Sequence, residues 1–234
     1  MTPIADNLDK LRSRIRKAVQ ACGRNPETVR LVAVSKTFPA ETVREAIAAG
    51  QNVFGENYIQ EAVKKTAILS SLPVSWHFIG HLQTNKAGHA VRIFDLIHSV
   101  DSIHLGEELN RQAKKISKVQ KILIQVNTGQ EDTKSGVCAD DVPGLINELK
   151  RFENISIQGL MTLPPFFDDP QRAYPYFSAL HELSDQIRRE NPHRVEMKEL
   201  SMGMTGDFEV AIKAGATLLR VGTAVFGKRN GGDR

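Results

Sequence analysis

The stretch LVAVSKTFPAETVREAIAAG, residues 31–50, reads as one strand–loop–helix unit. Leu31, Val32, Ala33 and Val34 make a short apolar run of the kind a buried parallel strand requires. Ser35 and Lys36 lead out of it, Pro39 opens a helix, and Gly50 closes that helix. The same alternation recurs along the chain. Further strands are predicted near 52–55, 75–80, 96–100, 121–127, 155–161, 199–202 and 217–222, separated mostly by amphipathic segments of helical length. With the run at 31–34 that makes about eight strands, the number of a closed parallel barrel. A doubly wound open sheet alternates in the same way, and periodicity does not distinguish a closed sheet from an open one. The strand count favours an α/β fold, a single (β/α)8 TIM-type barrel. A helix precedes it, with Thr2 as N-cap, Pro3 in the first turn, an apolar stripe at Ile4, Leu8, Leu11, Ile15 and Val19, and Gly23 as the stop. The segments AIAAG at 46–50 and AIKAG at 211–215 each end a helix before a strand, which reads as two similar joints rather than a repeat.

Composition agrees with a globular barrel. Of 234 residues 41% are hydrophobic and 25% charged, which disfavours disordered, collagen-like and coiled-coil readings. No linker or low-complexity tract divides the chain, so one domain spanning 1–234 is expected. No apolar run approaches the ~18 residues of a membrane span, and the amino end, with Asp6, Asp9 and Lys10, lacks the apolar stretch of a signal peptide. A cytoplasmic protein without a membrane partner is expected. Cys22 and Cys138 stand apart without C-x-x-C spacing, which points to free thiols rather than a disulfide or a metal site. The net charge of +4 is a weak pointer to anionic ligands. Arg12, Arg14, Arg16 and Lys17 read as a solvated helix face rather than a nucleic-acid patch.

In a parallel barrel, chemistry collects at the carboxyl ends of the strands. Lys36 follows the first strand directly; alone, it reads better as a surface charge leaving that strand. At the far end of the chain the segment 201–206, SMGMTG, follows a strand and opens a helix near Asp207, offering hydroxyls and backbone N–H groups to a phosphate. Gly222 and Thr223 close the last strand. These two loops occupy the place where barrels commonly hold phosphate. Arg220 shares a strand face with Leu218 and Gly222, and a buried guanidinium there requires a partner, either an acid or a ligand. A lysine, a phosphate cup and an inward arginine at one mouth fit a phosphorylated aldehyde, and pyridoxal 5'-phosphate answers that description. A lysine of ordinary pKa, about 10.4, is less than ~0.1% deprotonated at pH 7, so a nearby cation such as Arg220 would help it react. An arginine against the pyridine nitrogen also weakens the ring as an electron sink.

Taken together, AVSK ending at Lys36, FGENY at 54–58, WHFIG at 76–80, LQTNK at 82–86, KSG at 134–136, GLM at 159–161, SMGM at 201–204 and RVGTAVFG at 220–227 resemble the YggS/PROSC family of pyridoxal phosphate homeostasis proteins. The resemblance runs over nearly the whole chain. It implies a barrel similar to the amino-terminal domain of alanine racemase, with the cofactor held as a Schiff base on Lys36. It further implies phosphate contacts from Ser201, Gly203, Gly222 and Thr223, and Arg220 near the pyridine nitrogen. Asn57 and His77 match family positions lining the same mouth, although Asn57 also suits a helix cap and His77 a satisfied barrel residue. At Thr205 the family commonly has serine; threonine keeps the hydroxyl.

Other motifs carry less. The stretch 129–135, GQEDTKS, resembles a phosphate-binding loop but lacks the glycine before its lysine. His77 and His81 are four apart, yet Gly80 and the strand-like 76–79 deny them the helix that would aim both at one metal, so no metal site is expected. His98 reads as a strand-end residue and His104 as a solvated helix residue. Two function classes remain: a protein that holds, buffers or delivers pyridoxal phosphate, with transient contact to apo-enzymes that need it, and an amino-acid racemase or related enzyme. The family resemblance implies that a racemase needs a second domain supplying another base, and the segment after Gly222 is too short for one. A carrier without robust turnover, expected as a monomer, is favoured. A phosphosugar isomerase or aldolase using Lys36 explains Arg220 less well.

Overall fold

The computed structural model describes residues 2–129, 135–190 and 193–227. Lys134 of the KSG segment, and with it most of 129–135, lies outside the described residues. Nine strands appear among them: β1 (Arg30–Val34), β2 (Val53–Glu56), β3 (Ser75–Phe78), β4 (Leu96–Val100), β5 (Gln120–Asn127), β6 (Val137–Cys138), β7 (Ile155–Met161), β8 (Val195–Ser201) and β9 (Leu218–Val221). All except β6 form one closed parallel barrel in the order β1-β2-β3-β4-β5-β7-β8-β9, with β9 pairing back to β1. The β4–β5 pairing removes the last open edge, which decides against the doubly wound sheet. β6, a two-residue strand that pairs with β5 beyond the barrel, was not anticipated; two residues carry no period to read. The strand expected at 199–202 begins earlier, at Val195, where exposed Glu196 and Lys198 alternate with buried Met197.

The helices are α1 (Pro3–Ala21), α2 (Ala40–Ala48), α3 (Ile59–Ile68), α4 (Ala87–Ile93), α5 (Ile103–Lys115), α6 (Val142–Leu149), α7 (Tyr174–Glu190), α8 (Phe208–Lys213) and α9 (Thr223–Phe226). Each of α2 to α9 follows a barrel strand, α6 by way of the outlying β6. None is long and apolar enough to cross a membrane among the described residues. α1 is the additional helix, capped by Thr2 Oγ1, which accepts from the Ala5 N–H at 3.3 Å, and burying Ile4, Leu8, Leu11, Ile15 and Val19. It packs against α2, α8 and α9. The basic face of α1 is solvated at Arg14, Arg16 and Lys17, with Arg12 half-buried. Arg12 donates to the Ala49 carbonyl at the end of α2 (2.9 Å), and Arg14 pairs with Glu209 on α8 (2.5 Å). The two AIxAG joints close α2 and α8 alike, with Gly50 and Gly215 at φ +79° and +103°. Both cysteines are free and exposed.

Side chains alternate across each strand. Outward residues such as Ala33, Phe54, Trp76, Phe78 and Ile122 join the helices in the large core. Inward residues Val32, Leu96, Leu123, Met161 and Leu218 form a separate apolar plug inside the barrel. Two residues further along β4 and β9, the inward positions become His98 and Arg220. The plug therefore gives way to a polar layer just below the mouth.

Candidate functional site

The carboxyl ends of the strands open into a cavity of about 700 Å³. Its wall includes Lys36, Asn57, Thr205, Arg220, Gly222 and Thr223, six residues drawn from both ends of the sequence. Lys36 reaches it because Val32, Val34 and Lys36 share the inward face of β1 and its extension. Gly222 precedes α9, whose first amides have no acceptor within the helix, and Thr223 begins that helix. Thr205 and Asp207 come from the loop between β8 and α8. Asp207 accepts the Met204 N–H at 2.6 Å, which closes this loop. Burial pushes the Asp207 carboxyl up, and that N–H and the Arg220 charge offset part of the effect.

Asn57 is not a helix cap. α3 starts at Ile59 after Tyr58, with no side-chain cap bond, and the Asn57 Oδ1 is buried without a hydrogen-bond partner. An amide oxygen left so is costly unless something completes it.

Three of the residues expected at the mouth are not part of the cavity wall. His77 and Ser201 lie in the polar layer, and Gly203 sits beneath the loop at φ +90°, where an added Cβ would come within 2.6 Å of the Ala211 Cβ. The glycine lets the loop turn against α8. In the polar layer Arg220 Nη1 donates to Ser201 Oγ at 2.5 Å and Nη2 to the Thr162 carbonyl at 2.8 Å. His98 joins Ser201 through Nδ1 (2.9 Å) and His77 through Nε2 (3.0 Å). His98 is thus a fully buried link between strands, not a strand-end residue. Arginine only donates, so Ser201 Oγ accepts from Arg220; the hydroxyl keeps its own proton and a second lone pair, and either can face His98 Nδ1. With the Ser201 proton on His98 Nδ1, His98 Nε2–H donates to His77 Nδ1; with His98 Nδ1–H donating to Ser201, His77 Nδ1–H donates to His98 Nε2. Both imidazoles are neutral in either arrangement. Among the described residues Arg220 has no carboxylate within ion-pair distance. Burial lowers its pKa to about 10.

The neutral histidines make stability depend on pH. Burial, helped by the charge of Arg30, takes the pKa of His77 down to about 4, and burial with His77 and Arg220 holds His98 well below its ordinary value. An unfolded histidine titrates near 6.5, so between that pH and the native pKa the unfolded chain binds more protons. The stabilisation is full above about pH 6.5 and is lost as pH falls toward 4. From pH 7 to pH 5 His77 alone is expected to lower the unfolding free energy by about 2 kcal/mol. Urea denaturation of the native chain and of His77→Gln at both pH values checks this. Equal losses in the two proteins would show that His77 is not held neutral.

Sequence reasoning missed one wall of the cavity. The loop after β7 supplies Leu163, Pro164, Pro165, Phe166 and Phe167, of which Phe166 is 87% exposed. The signal was present: a PPFF run directly after a strand is an unusual place for exposed aromatics. His98 was also detectable, since it shares the inward period of Leu96.

A model of the alanine racemase N-terminal domain matches residues 7–230. The pyridoxal phosphate homeostasis protein of Aquifex aeolicus is 43% identical over 224 residues, covering 96% of this chain and 97% of the relative. The chain belongs to the pyridoxal phosphate homeostasis protein family. The relative of that name from Pseudomonas aeruginosa is also 43% identical, over 99% of this chain and 98% of its own. The structure of PipY from Synechococcus elongatus PCC7942 with PLP bound is 38% identical, covers 96% of this chain and all of its own, and superposes with a TM-score of 0.84. The family match thus extends over both mouth loops.

Proposed function

We propose that this chain binds pyridoxal 5'-phosphate in the barrel mouth, with Lys36 as its covalent anchor, and holds, buffers or delivers it without sustained amino-acid turnover. The observation that carries the reading is one cavity walled jointly by Lys36, Arg220, the loop residue Thr205 and the Gly222–Thr223 helix start. The names of the relatives and the PLP held by PipY support the choice of cofactor. When bound, the cofactor supplies an aldehyde that condenses with a lysine amine and releases one water.

Each residue then has a distinct task. Lys36 brings the amine to the mouth. The Thr205 and Thr223 hydroxyls and the amides after Gly222 hold the phosphate. Arg220 meets the ring nitrogen as a donor, and Ser201, His98 and His77 keep its guanidinium in place; Gly203 shapes the loop. His77 and Ser201 act through Arg220 in this reading, rather than by touching the cofactor. The protein works in the cytoplasm as a monomer that meets its recipient apo-enzymes transiently.

The test is the visible spectrum of the protein loaded with pyridoxal phosphate, followed by borohydride reduction and peptide mass mapping. A single pyridoxyl adduct on Lys36 is expected. An adduct at another lysine, or none, would remove the reading.

An arginine at the ring nitrogen does not leave it protonated as a carboxylate would, so the ring draws electrons weakly. Racemisation of alanine by the loaded protein is therefore expected to fall far below the ~1–10³ s⁻¹ of ordinary enzymes. Chiral chromatography of alanine incubated with stoichiometric protein measures it. Turnover in that range would favour the racemase reading.

A further inference from the structure

The residues on either side of Lys36 are held from behind the barrel by buried charge. Ser35 points outward, opposite to Lys36, and its Oγ donates to Glu56 Oε1 at 2.6 Å. Its carbonyl accepts from Lys65 Nζ at 2.6 Å. Lys65 also bonds Glu56 Oε1 (2.6 Å) and Glu61 Oε1 (2.7 Å), so all three protons of its ammonium have acceptors. Glu61 Oε1 in turn accepts the Thr37 N–H at 2.6 Å. Ser35, Glu56 and Lys65 are almost completely buried.

Two features set this cluster apart from an ordinary ion pair. Thr37, a β-branched residue, sits at φ +69°, a conformation that costs about 1–3 kcal/mol and persists only where the surroundings over-determine it. Glu56 Oε2 is buried without a partner, so the cluster is not optimised for stability. A buried ion pair commonly gives back in desolvation what it gains in attraction. What this one does is geometric: it grips the carbonyl before Lys36 and the amide after it.

We propose that Glu56, Glu61 and Lys65 are positioning residues for Lys36, fixing the strained turn that aims its amine into the mouth. None of the three lines the mouth cavity, and each acts through the backbone of Ser35 or Thr37. The inference deepens the reading of Lys36 as cofactor anchor and rests on it.

A double-mutant comparison tests it. Equilibrium dialysis with pyridoxal phosphate is run on the native chain, Lys65→Met, Lys36→Ala and the double variant. Lys65→Met is expected to weaken binding about tenfold where Lys36 is present, because about 1.4 kcal/mol of pre-organisation is lost. In the Lys36→Ala background it should change affinity by less than about twofold, since coupling requires both partners. Equal weakening in both backgrounds would reduce the cluster to general support of the mouth, and no weakening in either would overturn the proposal. Should Lys65→Met fail to fold, Glu61→Ala replaces it, because the Glu61 side chain is 25% exposed and its removal frees the Thr37 amide. Amide exchange by NMR gives a readout independent of the cofactor. Thr37 N–H should be protected in the native chain and exchange at least tenfold faster in Glu61→Ala; unchanged protection would overturn the proposal. If the native chain takes up no pyridoxal phosphate while the exchange result holds, the reading of Lys36 fails and the clamp stands as a description of the loop.

Discussion

Lys36→Ala is expected to fold as the native chain does, to form no borohydride-reducible adduct, and to retain reversible binding of pyridoxal phosphate at lower affinity. The reasons lie in which groups the substitution removes. The amine goes, and with it the covalent link. The groups assigned to the phosphate, Thr205, Thr223 and the amides after Gly222, belong to the loops after β8 and β9 and do not depend on Lys36. Charge-assisted hydrogen bonds contribute about 1.5–3 kcal/mol each, so two or three sustain binding in the micromolar to millimolar range. The fold should be indifferent, because Lys36 is only partly buried and the turn around it is gripped through Ser35 and Thr37 rather than through its side chain. Circular dichroism follows the fold, equilibrium dialysis the binding, and mass mapping after reduction the adduct. A defined adduct at another lysine would displace Lys36 as anchor. Loss of all binding in a folded variant would refute the phosphate assignment.

How much of this site was legible depends on what kind of information each residue carries. Lys36 and Arg220 were readable because period-two alternation assigns a strand face, and both fall in phase with apolar inward neighbours, Val34 and Leu218. Gly222 and Thr223 were readable because a glycine just past a strand in a parallel barrel marks a loop at the functional end. Depth was not readable. The strands of a barrel are staggered against one another, so residues at equal offsets from their strand ends sit at different heights. His77 and Ser201 carry the correct face and the wrong height, and the layer they share with His98 emerges only when β3, β4 and β8 are assembled. The capping role considered for Asn57 failed for a related reason: the helix begins two residues later, and its boundary is set by tertiary packing rather than by local signals. The Glu56–Lys65 cluster was invisible because Lys65 meets a carbonyl 30 residues away. In sequence that lysine reads as one more charge on an amphipathic helix. Closure of the barrel was legible only as a count of strands, and the count held despite strand ends displaced by up to four residues at β8.

Arg220→Glu should have the largest effect on the site, through two separable routes. The guanidinium now donates to Ser201 Oγ and to the Thr162 carbonyl, both buried. A carboxylate in its place sets oxygen against the Thr162 oxygen and leaves that acceptor without its Arg220 donor, at a cost of about 1–3 kcal/mol. It also competes for the Ser201 proton. If Ser201 donates to the new carboxylate, His98 Nδ1 carries the proton and donates to Ser201, and His98 Nε2 accepts from His77 Nδ1–H. The part of the pH dependence of stability carried by His98 should then weaken, because a nearby anion raises the His98 pKa that Arg220 now helps to hold down. At the mouth, the variant offers the ring nitrogen an acceptor where the native chain offers a donor. Protonation of the ring becomes favourable, the absorption spectrum of the loaded protein should shift, and affinity should fall by about tenfold or more with the loss of one charge-assisted bond. Urea denaturation at pH 7 and pH 5 reads the first route, and dialysis with the visible spectrum reads the second. Arg220→Lys separates them further: it keeps a cation at the ring but lacks the planar fork that reaches Ser201 and Thr162 together. A folded Arg220→Glu variant with native spectrum and native affinity would place the guanidinium away from the cofactor and leave it a purely structural tie across the barrel.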